Sequence, residues 1–228
     1  MRDSERVGAI IVAAGTSTRF GRDKLSEPLL GKPVLFWTLE AFATSPLIDE
    51  VVLVTSRGGL AVCEDIVDTL APKKPVRVVF GGARRQDSVC RGLDALSECR
   101  WVLVHDGARP LVSAALIEAG LAAVRRTGAA VPGVPLADTV KQVAPDDAVV
   151  ATLERAALRA IQTPQVFAFE LLRRAHREVG VDVTDDAAMV EAVGGHVVIF
   201  PGDPANVKIT SAHDLYVCEA LLRARLAQ

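Results

Sequence analysis

Short apolar runs alternate with helical patterns along the whole sequence, and this alternation constrains the fold more than any other feature. Runs such as "VVLV" and "WVLV" have the β-branched and aliphatic residues of strands that are buried on both faces. The candidate strands are residues 8–13, 50–55, 76–80, 101–105, 129–134 and 196–200, and the candidate helices are residues 33–43, 59–70, 87–97, 114–126, 168–177, 185–193 and 212–226. This repeat predicts an α/β fold with a Rossmann-like, mostly parallel sheet and helices on both faces.

One segment interrupts the repeat. Residues 135–155, "PLADTVKQVAPDDAVVATLER", alternate polar and apolar side chains around a Pro-Asp-Asp turn at 145–147, which predicts a projecting β-hairpin arm. A two-stranded hairpin alone is marginally stable in water, so it needs a surface to pack on. It either clasps a second subunit or folds over its own domain. With no linker or repeat elsewhere, we expect residues 1–228 to form one domain plus this arm, without a fused second enzyme.

The composition of the chain argues against several classes of protein. The formal net charge of -2 over 228 residues provides no general attraction to nucleic acid or to an anionic membrane, so we expect neither as a partner. The four cysteines form no C-x-x-C pair and have no metal-ligand spacing, which favours reduced thiols. The charged start "MRDSERV" lacks a signal peptide's apolar region, and no apolar run approaches membrane-spanning length. We expect a cytoplasmic protein.

The first strand leads into "AAGTSTRFGRDK", a loop with the features of a phosphate site. It matches neither the P-loop nor the dinucleotide fingerprint. Its small residues let backbone N–H groups approach a phosphate, and Arg19 and Lys24 supply positive charge. Lys24 is preferred over Lys32 as a functional lysine, because Lys32 lies in a Gly-Lys-Pro turn. The alternative is a tight turn whose basic side chains are merely solvated.

Two further loops carry charged residues at predicted strand ends. In "FGGARRQDSV", Gly81 and Gly82 permit a strained turn, and Asp87 or Ser88 is placed to cap the following helix. In "HDGARP", an aspartate directly follows a buried strand. Its carboxylate either holds a hard cation or pairs with the arginine three residues on.

Two segments near the C-terminus have ordinary structural interpretations. Lys208 in "NVKIT" is flanked by apolar residues, as in an exposed position of an extended run. "TDDA", which begins at Thr184, is typical of a helix N-cap followed by acidic first-turn residues.

Taken together, these segments resemble a known family. "AAGTSTRFGRDK" is similar to the nucleotide loop of sugar-nucleotide-type nucleotidyltransferases. "GGARRQDSV", "VLVHDGARP", "ADTVK", "LERAALRAIQTPQVF", "TDDA" and "NVKIT" narrow the resemblance to the 2-C-methyl-D-erythritol 4-phosphate cytidylyltransferases of the non-mevalonate isoprenoid pathway. The motifs follow in order from about residue 8 to residue 215, which is nearly the whole chain.

The resemblance implies a Mg²⁺-dependent transfer of the cytidylyl group of CTP to a polyol phosphate, with Mg²⁺ on Asp106. It also implies a homodimer in which the arm of one subunit completes the site of the other. The implied nucleotide-binding residues are Ala13, Ala14, Gly15, Gly81, Gly82, Asp87 and Ser88; the implied catalytic residues are Arg19, Lys24, Arg155 and Lys208; and the implied residues for the second substrate are Asp106, Arg109, Thr139, Arg155, Thr163, Thr184 and Lys208.

Two other functions compete with this one. A cytidylyltransferase for another polyol phosphate, such as ribitol 5-phosphate, shares the loop, the aspartate motif and the arm. A non-catalytic nucleotide-binding protein is less favoured, because it has no need for several cations around the α-phosphate. The sequence departs from many relatives at Ala205, where they carry an acidic residue, so a second carboxylate for the metal is not expected at that position, and Asp203 is the carboxylate close to it in sequence.

Overall fold

A sheet built around buried central strands forms the frame of the molecule. The computed structural model describes residues 5–15 and 23–227. Within them the strands are β1 (Val7–Ala13), β2 (Pro28–Leu29), β3 (Lys32–Pro33), β4 (Glu50–Thr55), β5 (Val76–Phe80), β6 (Trp101–Asp106), β7 (Ala129–Pro135), β8 (Val140–Val143), β9 (Val149–Leu153), β10 (Arg159–Ile161), β11 (Gln165–Ala168) and β12 (Val198–Pro201). The α-helices are α1 (Val34–Thr44), α2 (Leu60–Leu70), α3 (Arg85–Ala95), α4 (Ala114–Val124), α5 (Phe169–Glu178), α6 (Asp186–Ala192) and α7 (Ala212–Leu226).

The main sheet has the strand order β10-β7-β11-β6-β1-β4-β5, with β12 paired to β7. Strands β5, β4, β1 and β6 run parallel, and β12 runs parallel to β7. Strands β10 and β11 join antiparallel. The mostly parallel sheet with flanking helices is therefore confirmed, with antiparallel strands added on the β7 side.

Alternate residues of the central strands face two separate apolar layers. Ile11 and Leu103 pack with α1, α2, α4 and α7, whereas Ile10 and Val102 pack with α3, α5 and α6. All four side chains are fully buried. Full burial of such a side chain is worth about 1.5–3 kcal/mol, so helices on both faces are required to cover this strand pattern.

The positions of the predicted elements are largely confirmed, and two are corrected. The predicted strand at 50–55 and the predicted helix at 212–226 match β4 and α7. Helix α3 begins at Arg85 rather than at residue 87, because Arg84 occupies the cap position. The "NVKIT" segment is an irregular loop and not a strand. Strands β10 and β11 were not predicted.

The predicted hairpin is confirmed as a separate two-stranded sheet of β8 and β9. Its turn is closed by the Ala144 N–H, which donates to the Ala148 carbonyl at 2.9 Å. Asp147 adopts a left-handed conformation with φ of 62°, which aspartate tolerates better than most residues. Elsewhere in the described part of the chain, no helix is both long and apolar enough to cross a bilayer.

Candidate active site

The site lies where the chain reverses its direction across the sheet. After β1, the chain forms β4 and β5 on one side and then returns to form β6 on the other side of β1. Ligands of open α/β sheets bind outside the carboxyl ends of strands at such a switch point. A cavity of about 250 Å³ occupies this place, and its lining includes Lys24, Arg84, Arg85, Asp106 and Lys208.

The loop after β1 contributes backbone to the cavity. Ala13, Ala14, Gly15 and Lys24 line it, and their role toward a phosphate stays a prediction. Apart from its chain neighbours, no described residue lies within 4 Å of a Cβ built on Gly15. Arg19 lies outside the described residues.

Gly81 and Gly82 allow the loop after β5 to approach β1 closely. A Cβ at position 81 would lie 2.4 Å from the Cβ of Ala14. The Gly82 N–H donates to the Ser88 hydroxyl at 3.1 Å. The predicted capping role of Asp87 is confirmed, because its carboxylate accepts from the Arg84 N–H at 3.1 Å; Asp87 acts as the third helical residue and Arg84 is the N-cap residue. The two glycines therefore bring this loop against the first one.

Asp106 lies within an arrangement of three cations. Its Oδ2 is 2.8 Å from Lys208 Nζ and 3.7 Å from Arg109 Nε, and its Oδ1 is 3.5 Å from Arg85 Nε. The expectation that Asp106 pairs with Arg109 is therefore correct but incomplete. Four of the five charged side chains that line the cavity in the described part are cationic. Such a surface attracts a polyanion such as a nucleoside triphosphate.

The cations determine the ionisation of the carboxylate. Burial alone would raise the pKa of Asp106, but Arg85, Lys208 and Arg109 outweigh burial and hold this pKa below its ordinary value. Burial lowers the pKa of Arg109, and Asp106 offsets part of that effect. Asp106 is therefore a carboxylate at neutral pH.

The Lys208 segment is fixed to the loop after β6. The Ile209 N–H donates to the Ala108 carbonyl at 2.8 Å, and the Arg109 guanidinium donates to the Asn206 carbonyl at 2.8 Å. Ile209 is fully buried while Lys208 reaches Asp106. Lys208 is thus a site residue, and its interpretation as an exposed strand residue is wrong.

A buried hydrogen-bond chain fixes the base of this loop. The Asp106 N–H donates to the Thr163 hydroxyl at 3.1 Å, and the Thr163 oxygen lies 3.1 Å from His105 Nδ1. His105 Nε2 lies 3.2 Å from the Arg109 carbonyl, which only accepts. The proton of a neutral His105 therefore sits on Nε2, and Thr163 donates to Nδ1. Burial lowers the pKa of His105 to about 4, in agreement with this neutral form.

We expect His105 to make the fold less stable as the pH falls. The unfolded chain takes up a proton near pH 6.5, whereas folded His105 takes it up near pH 4, so stability is lost as the pH falls through this window. Full loss would amount to about 3 kcal/mol. Urea unfolding of the wild type and of His105→Gln between pH 7 and pH 4 measures it. Parallel stability curves for the two proteins would contradict a neutral buried His105.

The remaining predicted residues are not among the described residues that line this cavity. Thr163 is buried in the hydrogen-bond chain. Thr139 and Arg155 lie at the base of the hairpin and are exposed, and the Arg155 guanidinium bonds to the Ala137 carbonyl. Thr184 is exposed, and the cap of α6 is the next residue, Asp185. The roles of Thr139, Arg155 and Thr184 toward a second substrate stay predictions.

Asp203 is engaged away from the cavity. Its Oδ1 accepts from the Ala205 N–H at 2.8 Å, closing a local turn. Among the described residues, no group of three or more His, Cys, Asp or Glu side chains is placed to hold a metal ion. A metal in this site would therefore have Asp106 as its protein ligand and would need other ligands from a substrate.

The sequence analysis did not identify Asp186 and His176 as residues near the site. Arg85 Nη1 lies 2.7 Å from Asp186 Oδ2, and His176 Nε2 lies 3.6 Å from Asp186 Oδ1. Asp186 is fully buried behind the cavity. The sequence signalled Asp186 only as an acidic first-turn residue, and His176 had no signal at all.

Comparisons with known proteins agree with this geometry. A family model described as 2-C-methyl-D-erythritol 4-phosphate cytidylyltransferase matches residues 7–224. A relative of that name from Dehalococcoides mccartyi is 48% identical over 221 residues, which cover 96% of this chain and 97% of the relative. One from Synechococcus elongatus is 44% identical, with 95% and 96% of the two chains covered.

Solved structures give the same result. A 4-diphosphocytidyl-2C-methyl-D-erythritol synthase from Anaerococcus prevotii superposes with a TM-score of 0.86 at 30% identity, covering 97% of both chains. A 2-C-methyl-D-erythritol 4-phosphate cytidylyltransferase from Thermus thermophilus gives a TM-score of 0.75 at 36% identity, covering 94% of this chain and 98% of that one. The chain belongs to the 2-C-methyl-D-erythritol 4-phosphate cytidylyltransferase family.

Proposed function

We propose that this chain transfers the cytidylyl group of CTP to 2-C-methyl-D-erythritol 4-phosphate, giving 4-diphosphocytidyl-2-C-methyl-D-erythritol and pyrophosphate in non-mevalonate isoprenoid biosynthesis. Family membership supports the reaction. The observation that carries the proposal is the cluster of cations around Asp106 at the switch point of the sheet. This cluster places positive charge where a triphosphate and a second phosphate would meet.

The proposed step is a displacement at phosphorus. A phosphate oxygen of the polyol phosphate forms a bond to the α-phosphorus of CTP, and the bond from that phosphorus to the pyrophosphate oxygen breaks. The bonding electrons leave with pyrophosphate. No covalent bond to the protein forms, so the protein contributes by positioning the two phosphates and by stabilising the charge that builds up.

Different cationic side chains are assigned to the nucleotide and to the second substrate. Lys24 in the cavity, together with Arg19, stabilises charge on the α-phosphate and on the leaving pyrophosphate. Lys208 and Arg109, both next to Asp106 Oδ2, are assigned to the attacking phosphate of the second substrate. Arg155 adds charge to the second substrate from the hairpin.

Asp106 fits a Mg²⁺ ion that is shared with the nucleotide. Mg²⁺ is commonly held by one or two carboxylates plus substrate phosphates, and Asp106 is the carboxylate of the cavity lining that the structure describes. Its lowered pKa keeps it ionised at neutral pH. A bound Mg²⁺ would neutralise charge on the phosphate oxygens and favour departure of pyrophosphate. Lys208 and Arg85 keep the Asp106 carboxylate oriented toward the cavity.

The hairpin supports a homodimer as part of the proposal. Its strands expose Val143, Val149, Val150 and Leu153, with Val149 and Val150 more than 60% exposed. Apolar side chains at this density are costly in water and suit burial against a second copy of the chain. Neither Thr139 nor Arg155 lies among the described residues that line the cavity of the same chain. An arm that crosses to a partner subunit would bring both to that subunit's site.

The proposal also includes a cytoplasmic location and excludes the two competing functions. A cytoplasmic location is part of the proposal, supported by four cysteines that are free thiols. Transfer to another polyol phosphate is not favoured, because the family match covers residues 7–224. A binding-only role leaves the several cations around the cavity without a purpose.

The reaction is tested by pyrophosphate release from a panel of nucleotides crossed with a panel of polyol phosphates. We expect the fastest release with CTP and 2-C-methyl-D-erythritol 4-phosphate, much slower release with ribitol 5-phosphate, and none with EDTA in excess over Mg²⁺. Better turnover with ribitol 5-phosphate would overturn the substrate while leaving the enzyme class in place. Full activity in EDTA would overturn the metal.

A further inference from the structure

Three consecutive side chains at the start of α3 hold the segment that leads into α6. Arg84 Nη1 lies 2.9 Å from Asp182 Oδ1 at the surface. The Gln86 amide donates to the Val181 carbonyl at 3.2 Å and accepts from the Val183 N–H at 3.4 Å. The third contact is the Arg85–Asp186 pair. The start of α3 and the segment that carries Thr184 are therefore joined at three consecutive residues of α3 and its cap.

Arg85 connects this junction to Asp106. Its guanidinium lies 2.7 Å from Asp186 and 3.5 Å from Asp106, so it bridges two carboxylates. A planar guanidinium suits this arrangement, because it presents several donors in fixed directions. His176 from α5 contacts the other oxygen of Asp186. Burial alone would lower the pKa of Arg85, but the carboxylates of Asp186 and Asp106 outweigh it and raise that pKa.

Burial of the Asp186–Arg85 pair is weak evidence that the pair stabilises the fold. Its side chain is fully buried, and removing a carboxylate from water is costly even when it is paired. Apolar residues of similar volume often stabilise such a position as well or better. A buried pair that also reaches the reacting end of the site is therefore better explained by positioning.

The segment is fixed from the sheet as well. Gln165 at the start of β11 donates to Asp185 Oδ2 at 2.7 Å and accepts from the Ala187 N–H at 3.2 Å. Thr184 directly precedes this anchored turn. Its backbone is held between Gln165 on one side and the start of α3 on the other. A change in the position of Arg85 would therefore act on the segment that carries Thr184.

We propose that Arg85 and Asp186 are positioning residues that couple the nucleotide half of the site to the Thr184 segment, so that a bound nucleotide strengthens the binding of the polyol phosphate. This inference rests on the proposed function, because it assigns CTP to the cavity and the polyol phosphate to the Thr184 side. Asp186 holds Arg85 over Asp106. Arg85 in turn sets the position of the carboxylate and of the segment together.

The test measures binding without turnover. Calorimetry gives the Kd of 2-C-methyl-D-erythritol 4-phosphate with and without saturating α,β-methylene-CTP, whose α–β bridge is not cleaved. For the wild type we expect the nucleotide to tighten this Kd by about tenfold, a typical coupling between two sites. For Asp186→Asn we expect less than about twofold tightening, while nucleotide affinity alone stays within about threefold. Arg85→Lys, whose point charge reaches one carboxylate and not both, is expected to lose the coupling too.

Asp182→Asn is the matched control. It removes the exposed Arg84–Asp182 pair between the same two segments, and the coupling should stay at the wild-type value. A purely structural role would lower the melting temperature and weaken both ligands without changing their coupling. If Asp186→Asn does not fold, Arg85→Lys decides. Wild-type coupling in the folded variants, or no coupling in the wild type, would overturn the inference, whereas failure of the wild type to bind the nucleotide would overturn the proposed function instead.

Discussion

Replacing Lys24 by alanine is expected to lower kcat by at least about a hundredfold while weakening CTP binding far less. Lys24 belongs to the loop that follows β1 and is part of the cavity lining. Negative charge on the α-phosphate and the leaving pyrophosphate is greatest in the transition state, so a cation placed there stabilises the transition state more than the bound substrate. Steady-state kinetics with both substrates, together with direct CTP binding, separate the two effects.

Lys32→Ala is the matched control. The Lys32 ammonium lies 3.8 Å from the centre of the Phe36 ring and is exposed, so its removal should leave kcat within about twofold of the wild type. This pair of variants also tests the choice between the two lysines that the sequence analysis made. A fall in CTP affinity without a fall in kcat for Lys24→Ala would make Lys24 a uniform binding residue and contradict its proposed role.

Two inactive variants, Arg155→Ala and Lys24→Ala, are expected to restore activity when their subunits are allowed to exchange. If the arm crosses the dimer, one site of each mixed dimer takes Lys24 from one chain and Arg155 from the other. Random exchange makes about half of the dimers mixed, so about a quarter of wild-type activity should return. Equimolar co-expression of the two variants, purified without separating mixed from unmixed dimers, provides the sample.

The double variant Lys24→Ala/Arg155→Ala, exchanged with wild-type chains, provides the reciprocal control. With a crossing arm its mixed dimers have no intact site, so an equimolar mixture retains about a quarter of the activity; with an arm on its own subunit it retains about half. No recovery for the first pair, in a sample shown to contain mixed dimers, would mean that the arm serves its own chain.

The parallel half of the fold was predictable because its strands are buried on both faces. The runs that form β1, β4 and β6 leave no polar face, and periodicity alone places them within one or two residues. Strands β10 and β11 are three and four residues long and lie in a segment without a clear period. Their pairing with β7 and β6 is decided by tertiary contacts that a local pattern does not contain.

The residues of the candidate site could be predicted where they directly follow a buried strand, and not where tertiary contacts bring them to the site. Asp106 follows a buried strand, so its place at the carboxyl edge of the sheet follows from topology. Lys208 was interpreted structurally from its local pattern, because the loop that brings it to Asp106 is held by contacts with Ala108 and Arg109. The Arg85–Asp186 pair joins positions a hundred residues apart, and an acidic residue in a first helical turn has an adequate local explanation.

The most direct test of the account is phosphorus NMR of the products from CTP and 2-C-methyl-D-erythritol 4-phosphate, the latter labelled with ¹⁸O on its phosphate. We expect free pyrophosphate and two coupled resonances of a diphosphate diester, with ¹⁸O in the oxygen that bridges the two phosphorus atoms. That pattern requires attack by the polyol phosphate on the α-phosphorus. Formation of CMP and pyrophosphate without the coupled pair, or of CDP and inorganic phosphate, would contradict it.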